Sequence, residues 1–292
     1  MNTELKKNNK KKNIILWIIA VVVTLSAAVY QKTTGPTYPK KEKISLNGKD
    51  YKLKFIRSWG EGENVDAKMK LMIDDKDVSA KLFYKNFPAK KDEKWTETAF
   101  VSDNKDEKNY IFAKLPYQPP AGKLMYYVEF QSPKGNKTLF KKEPVVIRFK
   151  GHVPAFILIP HIIFMFLGML LANAAGLFAA FKLPQFKLYT SVTLILLLIG
   201  GMILGPIVQK YAFLEYWAGV PFGWDLTDNK LLIGFIAWLI AFLGNMKKER
   251  LYLTIVAAII TIIVFSIPHS LYGSELNRET GVVTQGFIMM FL

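Results

Sequence analysis

Two of the three histidines in this chain occupy the same tripeptide, Ile159-Pro160-His161 and Ile267-Pro268-His269, each at an edge of a long apolar run. Imidazole titrates near neutrality and readily ligates haem iron or metal ions, so two copies at matched membrane depth could form a site. Pro is well placed in the first turn of a helix, so the second apolar helix is expected to start at Pro160. Pro268 should end or kink the last one near Ile267. Both imidazoles then reach one interface. His161 also shares a helical face with Gly168, Ala172 and Ala175, small residues that let another helix approach and turn the ring into the bundle.

Three chemistries fit this pair. One is a bis-histidine haem b held by His161 and His269, which would make the chain an electron-carrying membrane subunit. A second is a metal site completed by Asp225, Asp228, Glu215 or Glu275. In the third, the histidines only cap or brace helix ends. His152, in the linker Gly151-His152-Val153-Pro154, is expected to be exposed.

The elements that must position these groups are legible in the hydropathy pattern. A crossing helix needs roughly 20 apolar residues. Five runs come near that length: Ile14–Tyr30, about Pro154–Phe181, Leu188–Val208, Leu231–Met246 and Leu251–Ile267. The fourth is short and can borrow a turn from Asp228 to Lys230. The third carries Gly201 and Gly205 at GxxxG spacing, and Asn173 is a mid-membrane polar residue suited to interhelical hydrogen bonding. The first run follows a basic tail and reads either as a retained anchor or as a signal peptide with Ser26-Ala27-Ala28 near its cleavage site. Its length and lack of a helix breaker favour the anchor.

Basic residues flank three cytoplasmic candidates: the tail 1–13, the link with Lys182 and Lys187, and Lys247-Lys248-Glu249-Arg250. The positive-inside rule then puts the N-terminus in the cytoplasm of a bacterial-type inner membrane, with residues 31–150 and the tail 271–292 outside. An aromatic outer segment, 207–230, contains Tyr211, Trp217, Phe222 and Trp224. It suits an interfacial belt or a partner contact, and Asp225 and Asp228 suit an N-terminal helix cap.

Residues 31–150 read as β. Val65 to Ile73 alternate apolar with polar, and so do the stretches 124–130 and 145–149. Further strands are expected at 51–57, 78–84, 96–101 and 110–115, with turns at Asn47-Gly48, Asp74-Asp75, Asn104-Lys105, Pro119-Pro120-Ala121-Gly122 and Pro133-Lys134-Gly135. About seven short strands in this span suggest an immunoglobulin-like sandwich, inserted between the anchor (14–30) and a four-helix segment (151–270). Such a sandwich on one N-terminal helix resembles, in layout, the membrane-anchored immunoglobulin-like accessory proteins of respiratory complexes. The resemblance covers the first half of the chain and implies a supporting role.

The chain lacks cysteine, which excludes disulfides, covalent c-type haem, thiolate metal sites and a cysteine nucleophile. Its formal net charge of +16 comes from dispersed lysines without a dense arginine patch, so the expected partners are the lipid bilayer and another membrane or envelope protein, not nucleic acid. No phosphate loop, nucleophile elbow or zinc-protease helix occurs, and the chain is expected to be non-enzymatic.

Overall fold

The computed structural model describes residues 2–102, 110–269, 271, 275–281, 283 and 284. They divide into two compact units. One is helical and comprises residues 2–35 and 153–271, and the other is a β unit of residues 36–152 joined by the described part of 275–284. The expected turn at Asn104-Lys105 and most of the tail 271–292 lie outside the described residues.

The helical unit contains α1 (Asn2–Thr34), α2 (Ala155–Ala180), α3 (Phe186–Leu196), a π-helical segment (Leu197–Ile203) that runs into α4 (Leu204–Phe213), α5 (Leu226–Lys247) and α6 (Leu251–Ser266). Among the described residues four stretches are long and apolar enough to cross a membrane: Lys10–Thr34, Ala155–Ala180, the continuous Phe186–Phe213 and Leu226–Lys247. α6 is shorter, at 16 residues. The first helix is more than a tether, because its Leu16, Ala20 and Thr24 are buried in the bundle. Asn173 of α2 donates to Thr24 Oγ1 at 2.9 Å, the interhelical bond its polarity predicts.

Small residues set the close helix contacts. A Cβ on Gly176 would lie 2.4 Å from Ala258 Cβ, so α2 and α6 meet almost backbone to backbone. The fully buried Trp238 of α5 donates to Thr261 Oγ1 on α6 at 2.7 Å.

The three basic segments collect at one end of this unit. Lys12 lies over the Phe181 ring, and Lys187 pairs with Glu249 at 3.0 Å. The ends near Gln31, Lys230 and Ile267 meet elsewhere: Gln31 Nε2 donates to the carbonyls of Phe265 at 2.6 Å and Ile267 at 3.3 Å.

Two boundaries differ from expectation. α2 begins at Ala155 after Pro154, not at Pro160, which lies inside the helix. Pro154 already takes the N-terminal role, and its carbonyl accepts from Ile157 and Leu158 N–H, so Pro160 costs only one early ladder bond. The third span continues as helix to Phe213, which places Tyr211 on α4 and leaves 214–225 as the loop. Pro206 is tolerated there because the wider π turn before it relieves the clash with the carbonyl four residues back.

The β unit holds β1 (Lys40–Leu46), β2 (Lys49–Phe55), β3 (Ser58–Trp59), β4 (Ala67–Leu71), β5 (Ser79–Asn86), β6 (Thr96–Ala99), β7 (Val101–Ser102), β8 (Ile111–Leu115), β9 (Lys123–Ser132), β10 (Gly135–Leu139) and β11 (Val145–Phe149). The tail adds β12 (Glu275–Leu276) and β13 (Val283–Thr284). β1 and β2 form a hairpin across Asn47-Gly48, whose φ values of 50° and 86° are those of the two-residue turn favoured between twisted strands. The largest sheet runs β3-β11-β9-β5-β6, with β10 also on β9, and a third sheet runs β4-β8-β7. Alternate residues of the longer strands, among them Leu53, Phe55, Met69, Leu71, Leu82, Tyr126, Phe130 and Phe149, fill one shared core. The strands are more numerous than the seven expected because β1, β3 and β10 add to them and the strand expected at 96–101 is divided into β6 and β7; β3 and β10 carry no alternating buried face that would mark them.

Candidate functional site

His161 lies in the second turn of α2, half-buried, with Nδ1 2.8 Å from the carbonyl of Gly200. That carbonyl belongs to the π segment, where the shift in helical register leaves a backbone acceptor available to a side chain. A carbonyl can only accept, so Nδ1 carries the proton and Nε2 keeps its lone pair. This is how a ligating histidine is usually oriented by its surroundings. The close approach depends on Gly200, where a Cβ would sit 2.6 Å from Phe164 Cβ, while Gly205 leaves ordinary contact room, its Cβ position 3.9 Å from His161 Cε1.

His269 follows α6 on a short strap. Lys230, buried in the first turn of α5, donates to the carbonyl of Ile267 at 2.6 Å, and Gln31 of α1 donates to the same carbonyl. His269 is solvent-accessible at the end of this strap. Burial above all, then the nearby Lys230 and His161, lower its affinity for a proton well below the ordinary imidazole value. The strap that carries His269 is thus tied to α5 by Lys230 and to α1 by Gln31.

The acidic candidates have other duties. Asp225 caps α5 by accepting from the N–H groups of Thr227 at 2.8 Å and Asp228 at 3.1 Å. Asp228 accepts from Ala218 N–H at 2.6 Å and Gln209 Nε2 at 3.0 Å, which pins the loop 214–225 to the start of α5. Glu215 lies in that loop, its carboxyl pushed upward by burial first and then by Asp225. Glu275 belongs to the β unit and pairs with Lys123 at 2.9 Å. Among the described residues no group of three or more histidine and carboxylate side chains could hold a metal ion.

The loop aromatics are mostly open. Phe222 is 83% exposed and Trp224 63%, and Tyr211 and Tyr216 are exposed as well, while Trp217 donates its indole N–H to the Val220 carbonyl at 3.1 Å. Such residues suit the headgroup level of a bilayer. His152 is exposed in the β unit. Sequence reasoning missed Gln31, Gly200 and Lys230. Only Lys230 left a signal, as a lone cation at the edge of an apolar run. Comparison with protein-family models, curated proteins and solved structures finds no match for this chain.

Proposed function

We propose that this chain is a non-enzymatic accessory or scaffold protein of a bacterial-type inner membrane, whose extracytoplasmic β unit, immunoglobulin-like in layout, engages another membrane or envelope protein. The observation that carries the reading is the connectivity of the β unit. The chain passes between the two units three times, after Gly35, after His152 and again before the described tail residues, which are built back into the β unit. Lys123 pairs there with Glu275, Arg278 donates to the Lys123 carbonyl at 2.8 Å, and Leu276 N–H bonds to Ala121 at 3.3 Å. A β unit closed by strands from both the middle of the chain and its tail suits a stable surface that is presented to a partner.

The same arrangement supports the orientation. The tail shares a compact unit with residues 36–152, which fits an even number of crossings between them, as α2, α3 with α4, α5 and the shorter α6 would provide. α6 is then a span of about 24 Å, short enough to need local thinning or snorkelling at its ends. The gathering of Lys12, Lys187 and the 247–250 link at one bundle end fits a cytoplasmic face there.

Two measurements test this. A reporter active only in the cytoplasm, fused after Leu292, should be silent, and a bright fusion overturns the orientation. Photo-crosslinking residues placed one at a time at exposed β positions, such as Lys52, Lys70 and Glu97, should give one discrete adduct with a second membrane or envelope protein. The absence of any adduct across these faces in native membranes overturns the accessory role.

A further inference from the structure

We propose that the outward face of β1, β2, β4 and β8 docks the β unit on an anionic lipid bilayer. The inference rests on the chain being held in a membrane, and it goes beyond the accessory role by naming a face and its ligand.

The strand registers set lysine directly against lysine. On the β1–β2 hairpin Lys41 stands opposite Lys54 and Lys43 opposite Lys52, and on the β4–β8 pair Lys68 stands opposite Lys114. Directly opposed residues on one face of an antiparallel pair lie about 5 Å apart, and like charges there repel. The alternate positions of the same strands, among them Leu53, Phe55, Met69 and Leu115, fill the shared core, so these lysines face outward. β2 packs beside β4, which joins the two strand pairs into one surface.

The face carries little charge of the other sign. Among the described residues Lys41, Lys43, Lys52, Lys54, Lys70 and Lys114 are exposed and form no ion pair, and Asp50 is the one carboxylate at an outward position of these four strands. Folding gains nothing from opposed lysines. A layer of negative charge outside the protein offsets their repulsion and turns it into attraction.

Apolar side chains on the same face decide which kind of anion. Met72 lies between the buried Leu71 and Ile73 and is 52% exposed, while Val101, 50% exposed, stands opposite the outward Phe112. Large apolar groups among lysines suit a bilayer interface, where the ammonium groups meet headgroups and the apolar groups enter the acyl boundary. A soluble phosphate polymer satisfies the lysines alone. The lysines also spread over four neighbouring strands, a two-dimensional field that a planar array of headgroups engages as a whole and a single extended polymer does not. Reach permits the contact. Five residues join α1 to β1 and five join β11 to α2. A linker of that length spans at most about 18 Å, so a bilayer crossed by those helices is close to hand.

The test exploits the lack of cysteine, because single-cysteine variants then report one position each. The full chain with Met72→Cys or Val101→Cys, labelled with an environment-sensitive nitrobenzoxadiazole dye, is reconstituted in lipid nanodiscs. Discs containing phosphatidylglycerol should shift the emission to the blue relative to discs of phosphatidylcholine alone, and added salt should reverse the shift. The same dye at Glu97→Cys, on the other sheet, should not respond. A Lys43→Gln, Lys52→Gln pair should weaken docking by about tenfold or more, as the loss of two lysines near an anionic surface implies, without lowering the melting temperature, since it relieves a repulsion. Lys94→Gln with Lys137→Gln, an equal change in net charge away from this face, should leave the shift in place. Emission that is identical in both kinds of disc overturns the proposal, and so does an equal loss from the two lysine pairs. Polyphosphate bound by the detergent-purified chain without any response to phosphatidylglycerol assigns the face to a soluble polymer and overturns it too. So does a photo-crosslinking residue at position 43 that captures protein and no lipid in native membranes. Crosslinking from position 97 reports on the opposite sheet, so failure of the lipid face and failure of the accessory role are separable.

Discussion

Replacing Glu275 by Ala should destabilise the β unit by about 2–4 kcal/mol, although the residue lies some 150 positions from its partner in sequence. Lys123 and Glu275 are only 14% and 8% exposed and 2.9 Å apart. Burial is the main reason the Lys123 ammonium is held below its ordinary value, and the Glu275 hydrogen bond partly restores it. Removing one partner of a buried pair typically costs about 3–5 kcal/mol, because the other charge is left uncompensated. Two escape routes cap that cost. Lys123 can shed its proton, which at pH 7 requires roughly 4.6 kcal/mol for a normal lysine, or the β12–β13 segment can lift away and let water reach the ammonium. The second route is the cheaper, so the loss should appear locally as well. Amide exchange at Leu276, whose N–H bonds to Ala121, should accelerate by more than tenfold, while that of β5 and β9 changes little. A Lys123→Met, Glu275→Met double variant should recover most of the stability, since apolar groups of similar volume replace buried pairs at little cost. The assay is thermal or urea unfolding of the full chain in detergent, followed at both single variants and the double. Additive losses, or a Glu275→Ala protein with unchanged exchange at Leu276, would refute the view that the tail is part of the β unit.

Three other outcomes are expected. Gly200→Ala should cost about 2–4 kcal/mol, from overpacking against Phe164 Cβ at 2.6 Å and a weakened bond to His161, and should move the His161 Nδ1 proton resonance; Gly176→Ala, aimed at Ala258 Cβ at 2.4 Å, should destabilise the bundle and leave that resonance in place. Trp238→Phe should lose about 1–2 kcal/mol in detergent melts, because the indole bond to Thr261 disappears while Thr261 retains its own bond to the Ala257 carbonyl at 2.8 Å. Burial, followed by the hydrogen bond to Asp74, pushes the Tyr51 phenol up to about 12, so its contribution to β-unit stability is complete below about pH 10 and lost as the pH rises through 12. Tyr51→Phe should flatten that alkaline slope in pH-dependent unfolding, and an unchanged slope would rule the phenol out as its source.

The sequence by itself determined the parts governed by short-range pattern. Runs of apolar residues fix where helices cross because the hydrocarbon layer accepts no unpaired backbone, and Val145–Phe149 and the 67–71 alternation fix strands because successive side chains point to opposite faces. The Asp225 cap is local too, reaching only two and three residues ahead. What required the tertiary structure was every pairing across long separations. β3 joins β11 in parallel, and strands of two residues such as β3, β12 and β13 have no period to read. Glu275 offered the sequence a carboxylate that could serve a metal, and only the fold commits it to Lys123. Of the histidine site, the repeated Ile-Pro-His was visible and Lys230 stood out only as a lone cation at the edge of an apolar run, but the parts played by Gly200, Gln31 and Lys230 were not legible. Their roles depend on a π-helical register shift and on helix ends meeting in space, and neither leaves a mark in local hydropathy or spacing.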